Sequence, residues 1–176
     1  IIIFGFFFFY LIFPKYNLAE IASAKQHDFI NMINQSSNVG SKIDLPKLDP
    51  SFISFVKNSP NALINSFFRP HIFEIKSAMV IPAAIENLLI IVITFLTLIF
   101  YKKPDIKNFT WFWFCISFVF ILFILCGLTT PVLGALVRYR SPALPFLFII
   151  FLTFIDLNRM NILFSKIISP FVKWKK

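Results

Sequence analysis

Apolar positions in this chain fall into long blocks separated by polar stretches, not into short alternation. Four blocks stand out: Ile1 to Phe13 (IIIFGFFFFYLIF), Ala78 to Phe100 (AMVIPAAIENLLIIVITFLTLIF), Thr110 to Leu128 (TWFWFCISFVFILFILCGL) and Pro142 to Leu157 (PALPFLFIIFLTFIDL). A helix needs about 20 apolar residues to cross a bilayer. The second and third blocks have that length. The fourth is short and must borrow residues from a flank. The first is shorter still and has neither an initiator Met nor a basic leader, so it reads as a transmembrane helix cut at its start and not as a signal peptide. The expectation is therefore an all-α, polytopic transmembrane bundle forming the C-terminal part of a larger protein, with the N-terminal part of that protein as its first partner.

The polar stretch from Pro14 to Ser77 has a helical pattern of its own. Leu18, Ile21, Ala22, Phe29 and Ile33 recur at helical spacing, and Asn17 with Glu20 forms a capping-box pattern ahead of them. NQSSNVGSKIDLP then breaks the pattern. Asp49-Pro50 and Ser59-Pro60 each place an N-cap residue before a proline at the first helical position. They predict two short helices, through SFISFVKN and NALINSFF. Phe52, Phe55, Val56, Leu63, Ile64, Phe67 and Phe68 give these helices apolar faces for the membrane surface or for the rest of the protein. The tail from residue 158 to 176 mixes Ile162, Leu163, Ile167, Ile168 and Phe171 with lysines, as an interfacial segment on anionic lipid does.

Composition agrees with the pattern. Hydrophobic residues make up 58% of the 176 and charged residues only 14%, with a mean hydropathy of +0.80. That is too little polar surface for a soluble domain. The 26 phenylalanines read as lipid-facing bulk. The net charge of +9 comes from lysines and arginines beside apolar blocks, which points to membrane topology and lipid phosphate instead of nucleic acid. Basic residues concentrate in the short YKKPDIKNF loop and in the tail, whereas the Pro14 to Ser77 loop is nearly balanced. The positive-inside rule then predicts a multi-pass protein of the bacterial inner membrane with a cytoplasmic C-terminus. The Pro14–Ser77 and Thr129–Ser141 loops would be extracytoplasmic.

Chemistry is sparse. No phosphate loop or dinucleotide fingerprint is present, and His27 and His71 lack partners at metal spacing, so neither a metal nor a cofactor is expected. Cys115 and Cys126 lie in one block roughly 16 Å apart by helical rise, too far to bridge within the helix. Trp111 and Trp113 read as interfacial anchors. The informative charges all fall at the outer face. Glu86 stands roughly 12 Å in from Ala78 by helical rise, where an ionisable group should face protein, water or a partner. Arg138 and Arg140 stand at the outer end of the fourth block, and FFRPHIFEIKS adds Arg69, His71, Glu74 and Lys76 on the same side.

These charges allow two readings. In one they are structural: Glu86 pairs with Arg138 or Arg140, the arginines snorkel to the interface, and RPHIFEIKS is a charged hinge. In the other, two guanidiniums held at headgroup height by Pro142 and Pro145 bind a lipid phosphate through forked hydrogen bonds, with Glu86, Arg69 and His71 beside them.

The string RYRSPALPFLFI resembles the late transmembrane region of C-type-fold membrane glycosyltransferases, whose late helices often begin with an Arg-Tyr and a nearby proline. The longer pattern NALINSFFRPHIFEIKS…IENLL followed by GLTTPVLGALVRYRSPALPF is similar to multi-spanning bacterial envelope proteins of no assigned chemistry. Together the resemblances cover Asn61 to Asp156. The first implies a polyprenyl-phosphate-linked sugar as substrate, with Arg138 and Arg140 as phosphate contacts. It also implies a catalytic acid in a first outer loop, a region this sequence does not contain, so no catalytic residue is assigned here. Three functions follow as expectations: binding and assisted transfer or polymerisation of such a sugar in envelope glycan assembly, transport or flipping of a lipid-linked glycan, and a non-enzymatic structural membrane subunit.

Overall fold

The computed structural model describes residues 17–35, 41–74, 80–104, 109–163 and 165. The first apolar block, Lys76 and most of the basic tail lie outside the described residues. Among the described residues the bundle is built from six helices, α1 (Leu18–Gln35), α2 (Phe52–Phe68), α3 (Ile81–Ile99), α4 (Phe109–Thr129), α5 (Leu133–Arg140) and α6 (Leu144–Phe154), with a further helical stretch after Asp156. No strand is present among the described residues, and the architecture is an all-α bundle.

Among the described residues three helical runs are long and apolar enough to cross a membrane: Ile81–Ile99, Thr110–Thr129 and Leu133–Phe154. The third differs from the sequence reading, in which it began at Pro142 after a loop. Here α5, a 3-10 turn at Ser141–Ala143 and α6 follow one another without a break. Pro142 and Pro145 each sit in the first turn of a helical segment, where the missing N–H leaves no helical bond unmade. The prolines are therefore absorbed into the span, and the connection from α4 shrinks to Thr130–Val132. Arg138 and Arg140 consequently belong to the spanning run itself.

The spans meet in a core of Ile90, Val119, Phe123, Ala143, Leu147 and Phe151, flanked by Leu63 and Phe67 of α2. Those two flanking residues show that α2 belongs to the bundle. It is one helix where two were predicted, capped by Ser51, whose hydroxyl accepts from the Ser54 amide at 3.2 Å. Pro60 lies inside it. Ser59 does not start a new helix. Its hydroxyl donates back to the Phe55 carbonyl at 2.7 Å, and the Asn58 amide donates to the Ser54 carbonyl at 2.9 Å. Side-chain bonds of this kind let a helix continue through a proline.

α2 runs antiparallel to α4 at very close range. A Cβ built on Gly127 would lie 2.1 Å from the Ala62 carbonyl oxygen. Ser66 Oγ donates to the Phe123 carbonyl at 2.6 Å. Ala62 and Ser66 are one helical turn apart, and with Gly127 they form the small-residue contact that membrane helices use for backbone approach.

At the end of the bundle where α4 meets α5, α1 and the extended segment 41–49 cover the connection. Lys42 bridges Val132, with Ile43 N donating to Pro131 O at 2.7 Å. Gln26 of α1 is 2% exposed. Its amide donates to Leu128 O at 2.7 Å and Pro46 O at 3.1 Å, and its carbonyl accepts from Leu48 N at 2.8 Å. At the opposite end, Tyr101 bridges Ile155, joining the exits of α3 and α6.

Candidate functional site

The end of α2 organises the predicted site residues. A helix leaves its last four carbonyls without intrahelical partners. Inside a protein or a bilayer such groups need replacements. Here the Asn65 carbonyl accepts from the Arg69 amide at 3.1 Å. The Ser66 carbonyl accepts from Arg140 Nη1, which also donates to the Arg69 carbonyl at 2.8 Å. The Phe68 carbonyl accepts from Asn87 Nδ2 at 2.7 Å. One arginine from α5 and one asparagine from α3 thus close the terminus of a helix remote from both in sequence. The guanidinium also meets the negative end of the α2 dipole.

Arg140 is wholly buried, at 0% exposure. Its Nη2 stands 3.6 Å from Glu86 Oε1, a charge pair just beyond hydrogen-bond reach. Glu86 is half-exposed, so its carboxylate balances the buried cation while meeting the outside of the bundle. Asn87 is 1% exposed. The paired polar positions Glu86 and Asn87 in an otherwise apolar helix therefore divide the work: one supplies charge, the other a donor.

Arg69 and His71 converge on another carboxylate. Arg69 Nε and His71 Nδ1 each lie 3.3 Å from Glu74, and the His71 amide donates to the same carboxylate at 3.4 Å. This group adjoins the first through the Arg69 carbonyl, which Arg140 holds.

Arg138 is placed differently. It is exposed, with its guanidinium 5.7 Å from the centre of its neighbour Tyr139's ring. Tyr139 in turn meets Phe29 of α1 edge-on at 6.0 Å. Among the described residues Arg138 has no carboxylate partner, whereas Arg140 and Arg69 each have one. The five predicted residues thus occupy three settings: Glu86 with Arg140, Arg69 with His71, and Arg138 apart. Positions 138 and 140 point to different sides of one helix, so Arg138 is exposed while Arg140 is enclosed by the bundle.

Several positions that matter here were not singled out in the sequence. Asn87 had a readable signal, an amide deep in an apolar run. Ser66, Ala62 and Gly127 carried the small-residue spacing. Gln26 had no local signal at all. Among the described residues no three His, Cys, Asp or Glu side chains come together to hold a metal. Comparison with protein-family models finds no match, and comparison with curated proteins and with solved structures finds none either.

Proposed function

We propose that this chain is the outer-leaflet, substrate-holding part of an inner-membrane protein of envelope glycan assembly, and that its ligand is a polyprenyl-phosphate-linked sugar. The observation that carries the reading is Arg138: an exposed guanidinium in a membrane-spanning run, braced against an aromatic ring and, among the described residues, without a carboxylate to neutralise it. A charge in that position is costly unless it meets water or an anion, and a lipid phosphate fits a guanidinium fork. Arg140 and Glu86 act as positioning residues, because Arg140 Nη1 is committed to two carbonyls and Nη2 faces Glu86 at 3.6 Å inside the bundle. Arg69 and His71, both partly exposed, stand ready for further polar contacts of the same headgroup.

The burial of Arg140 also favours a second reading, a non-enzymatic membrane subunit whose charges serve only to hold α2. One experiment separates the two. The full-length protein in nanodiscs is photo-crosslinked with a diazirine-bearing long-chain polyprenyl phosphate, with the phosphate-free polyprenol as control. Phosphate-dependent capture that falls about tenfold in Arg138→Gln, the loss of roughly one charged contact, supports the proposal. Equal capture of both probes, or equal capture by wild type and variant, overturns it in favour of the structural subunit. Measuring sugar transfer against lipid movement on the same sample then distinguishes an enzyme from a flippase.

A further inference from the structure

The contacts of α2 fix how far it descends beside the spanning helices. Ala62 lies against Gly127, near the end of α4, while Ser66 bonds to Phe123, roughly 6 Å further in and so roughly 9 Å from the end of α4 at Thr129 by helical rise. The groups that close the terminus of α2 come from matching depths. Asn87 stands roughly 9 Å beyond Ile81, and Arg140 roughly 10 Å beyond Leu133, each measured from the start of its span. Three spans therefore report one level for the end of α2, about two helical turns in from the end of each span.

The surface of α2 is graded in the same direction. Its polar side chains Lys57, Asn58 and Asn61 come before or beside the level of Gly127, and Asn65 shares a small cleft with Gly127 and Leu128. Beyond that level come the buried Ser66, then Phe67 and Phe68. The face turned away from the bundle carries Ile53, Val56, Pro60, Ile64 and Phe68, all exposed and all within one helical stripe. The turn that follows has its charges paired, Arg69 with Glu74 and Arg140 with Glu86. Irregular backbone at membrane depth requires such internal satisfaction.

We propose that α2 is a re-entrant half-membrane helix. It enters the bilayer from the end bearing α1, lays its Ile64–Phe68 face against acyl chains, stops within one leaflet and returns to the same side before α3 crosses. Its C-terminal carbonyls are kept out of lipid by Arg140 and Asn87. This inference does not depend on what the protein binds, nor on which side of the membrane that end faces.

The test uses single-cysteine reporters in the full-length protein in membrane vesicles. Native Cys115 and Cys126 are buried and provide the background. Ser51→Cys, Ile64→Cys and Phe68→Cys all alter exposed positions, and the first gives up only the α2 cap, so folding should survive. A membrane-impermeant maleimide is expected to label position 51 about a hundredfold faster than positions 64 and 68. Spin labels at 64 and 68 should relax with oxygen, which dissolves in acyl chains, and not with a water-soluble nickel chelate. Comparable labelling at all three positions, or nickel access at 64, would place α2 on the membrane surface and overturn the inference. Exclusion of both oxygen and nickel at 64 and 68 would overturn it too, by showing a protein partner in place of lipid.

Discussion

The two ends of the bundle are held together by different means. At the end bearing α1, polar side chains reach across long stretches of sequence to backbone groups: Gln26 to Leu128, Ser66 to Phe123, Asn87 to Phe68 and Arg140 to Ser66. At the opposite end the tie is main chain to main chain. Lys102 N donates to Phe154 O at 2.8 Å, and Asp156 N to Phe100 O at 2.7 Å. Side-chain identity is immaterial to such pairs, so that end should tolerate substitution. The α1 end should tolerate less, because beside its own main-chain pair of Ile43 with Pro131 it relies on these four bonds, each of which depends on one residue type, and a deleted partner leaves a buried group unsatisfied. The difference teaches where this sequence is constrained: at the terminus of a helix that stops inside the molecule.

The largest effect is expected at Arg140. Arg140→Met removes the donor to two carbonyls, at about 1–3 kcal/mol for each one left unsatisfied, and it also takes the cation from the half-exposed Glu86. Arg140→Lys should rescue only in part, since a single ammonium lacks the planar fork. The comparison sharpens with the double variant Arg140→Met/Glu86→Gln. If the charge pair dominates, the double variant recovers most of the loss in an SDS-unfolding titration. If capping of α2 dominates, it stays near the single variant.

Gln26 and Gly127 come next. Gln26→Leu keeps the volume but abandons three hydrogen bonds around Leu128, Pro46 and Leu48, for an expected loss of about 2–3 kcal/mol. Gly127→Ala sets a methyl against the Ala62 backbone, which must move; overpacking of this sort costs about 1–3 kcal/mol. Ala62 is itself backbone-limited, so truncating a side chain on α2 should not rescue it. Unchanged thermal stability of Gly127→Ala would mean that α2 and α4 are not in contact in the membrane.

These residues also mark what was legible beforehand. The spans at 81–99 and 110–129 stood out because lipid as a solvent demands an uninterrupted apolar run, which sequence displays directly. The pairing of Glu86 with one of two arginines was legible as one of two structural or functional readings, since a carboxylate at depth needs a partner. The continuation of α2 through Pro60 was not, because Ser-Pro reads equally as a helix start, and the choice is made by whether the serine hydroxyl caps forward or bonds back. The start of the third span at Leu133 was hidden by two prolines and two arginines, each a plausible boundary signal alone. Gln26 was beyond reach. Its partner Leu128 lies 102 positions away, and no local pattern encodes a contact made only after the bundle has assembled.

The smallest effect is expected where the opposite end also shows an arginine paired with an acid. Arg159 Nε lies 3.3 Å from Asp156, but its side chain is 74% exposed. Arg140 has no exposure at all, although its partner Glu86 is 39% exposed. Water reaches the Arg159 guanidinium and not that of Arg140, so Arg159→Ala should change stability by less than about 1 kcal/mol. Asp156 does slightly more. Its Oδ1 accepts from the amides of Asn158 and Arg159, both at 3.1 Å, opening the helical stretch that follows. Asp156→Ala should therefore cost about 1 kcal/mol, the ordinary worth of an N-cap. The main-chain pairs of Phe100 and Lys102 would survive either change. Should Arg159→Ala prove as damaging as Arg140→Met in the same titration, the contrast between the two ends would collapse, and exposure would not be what separates their arginines.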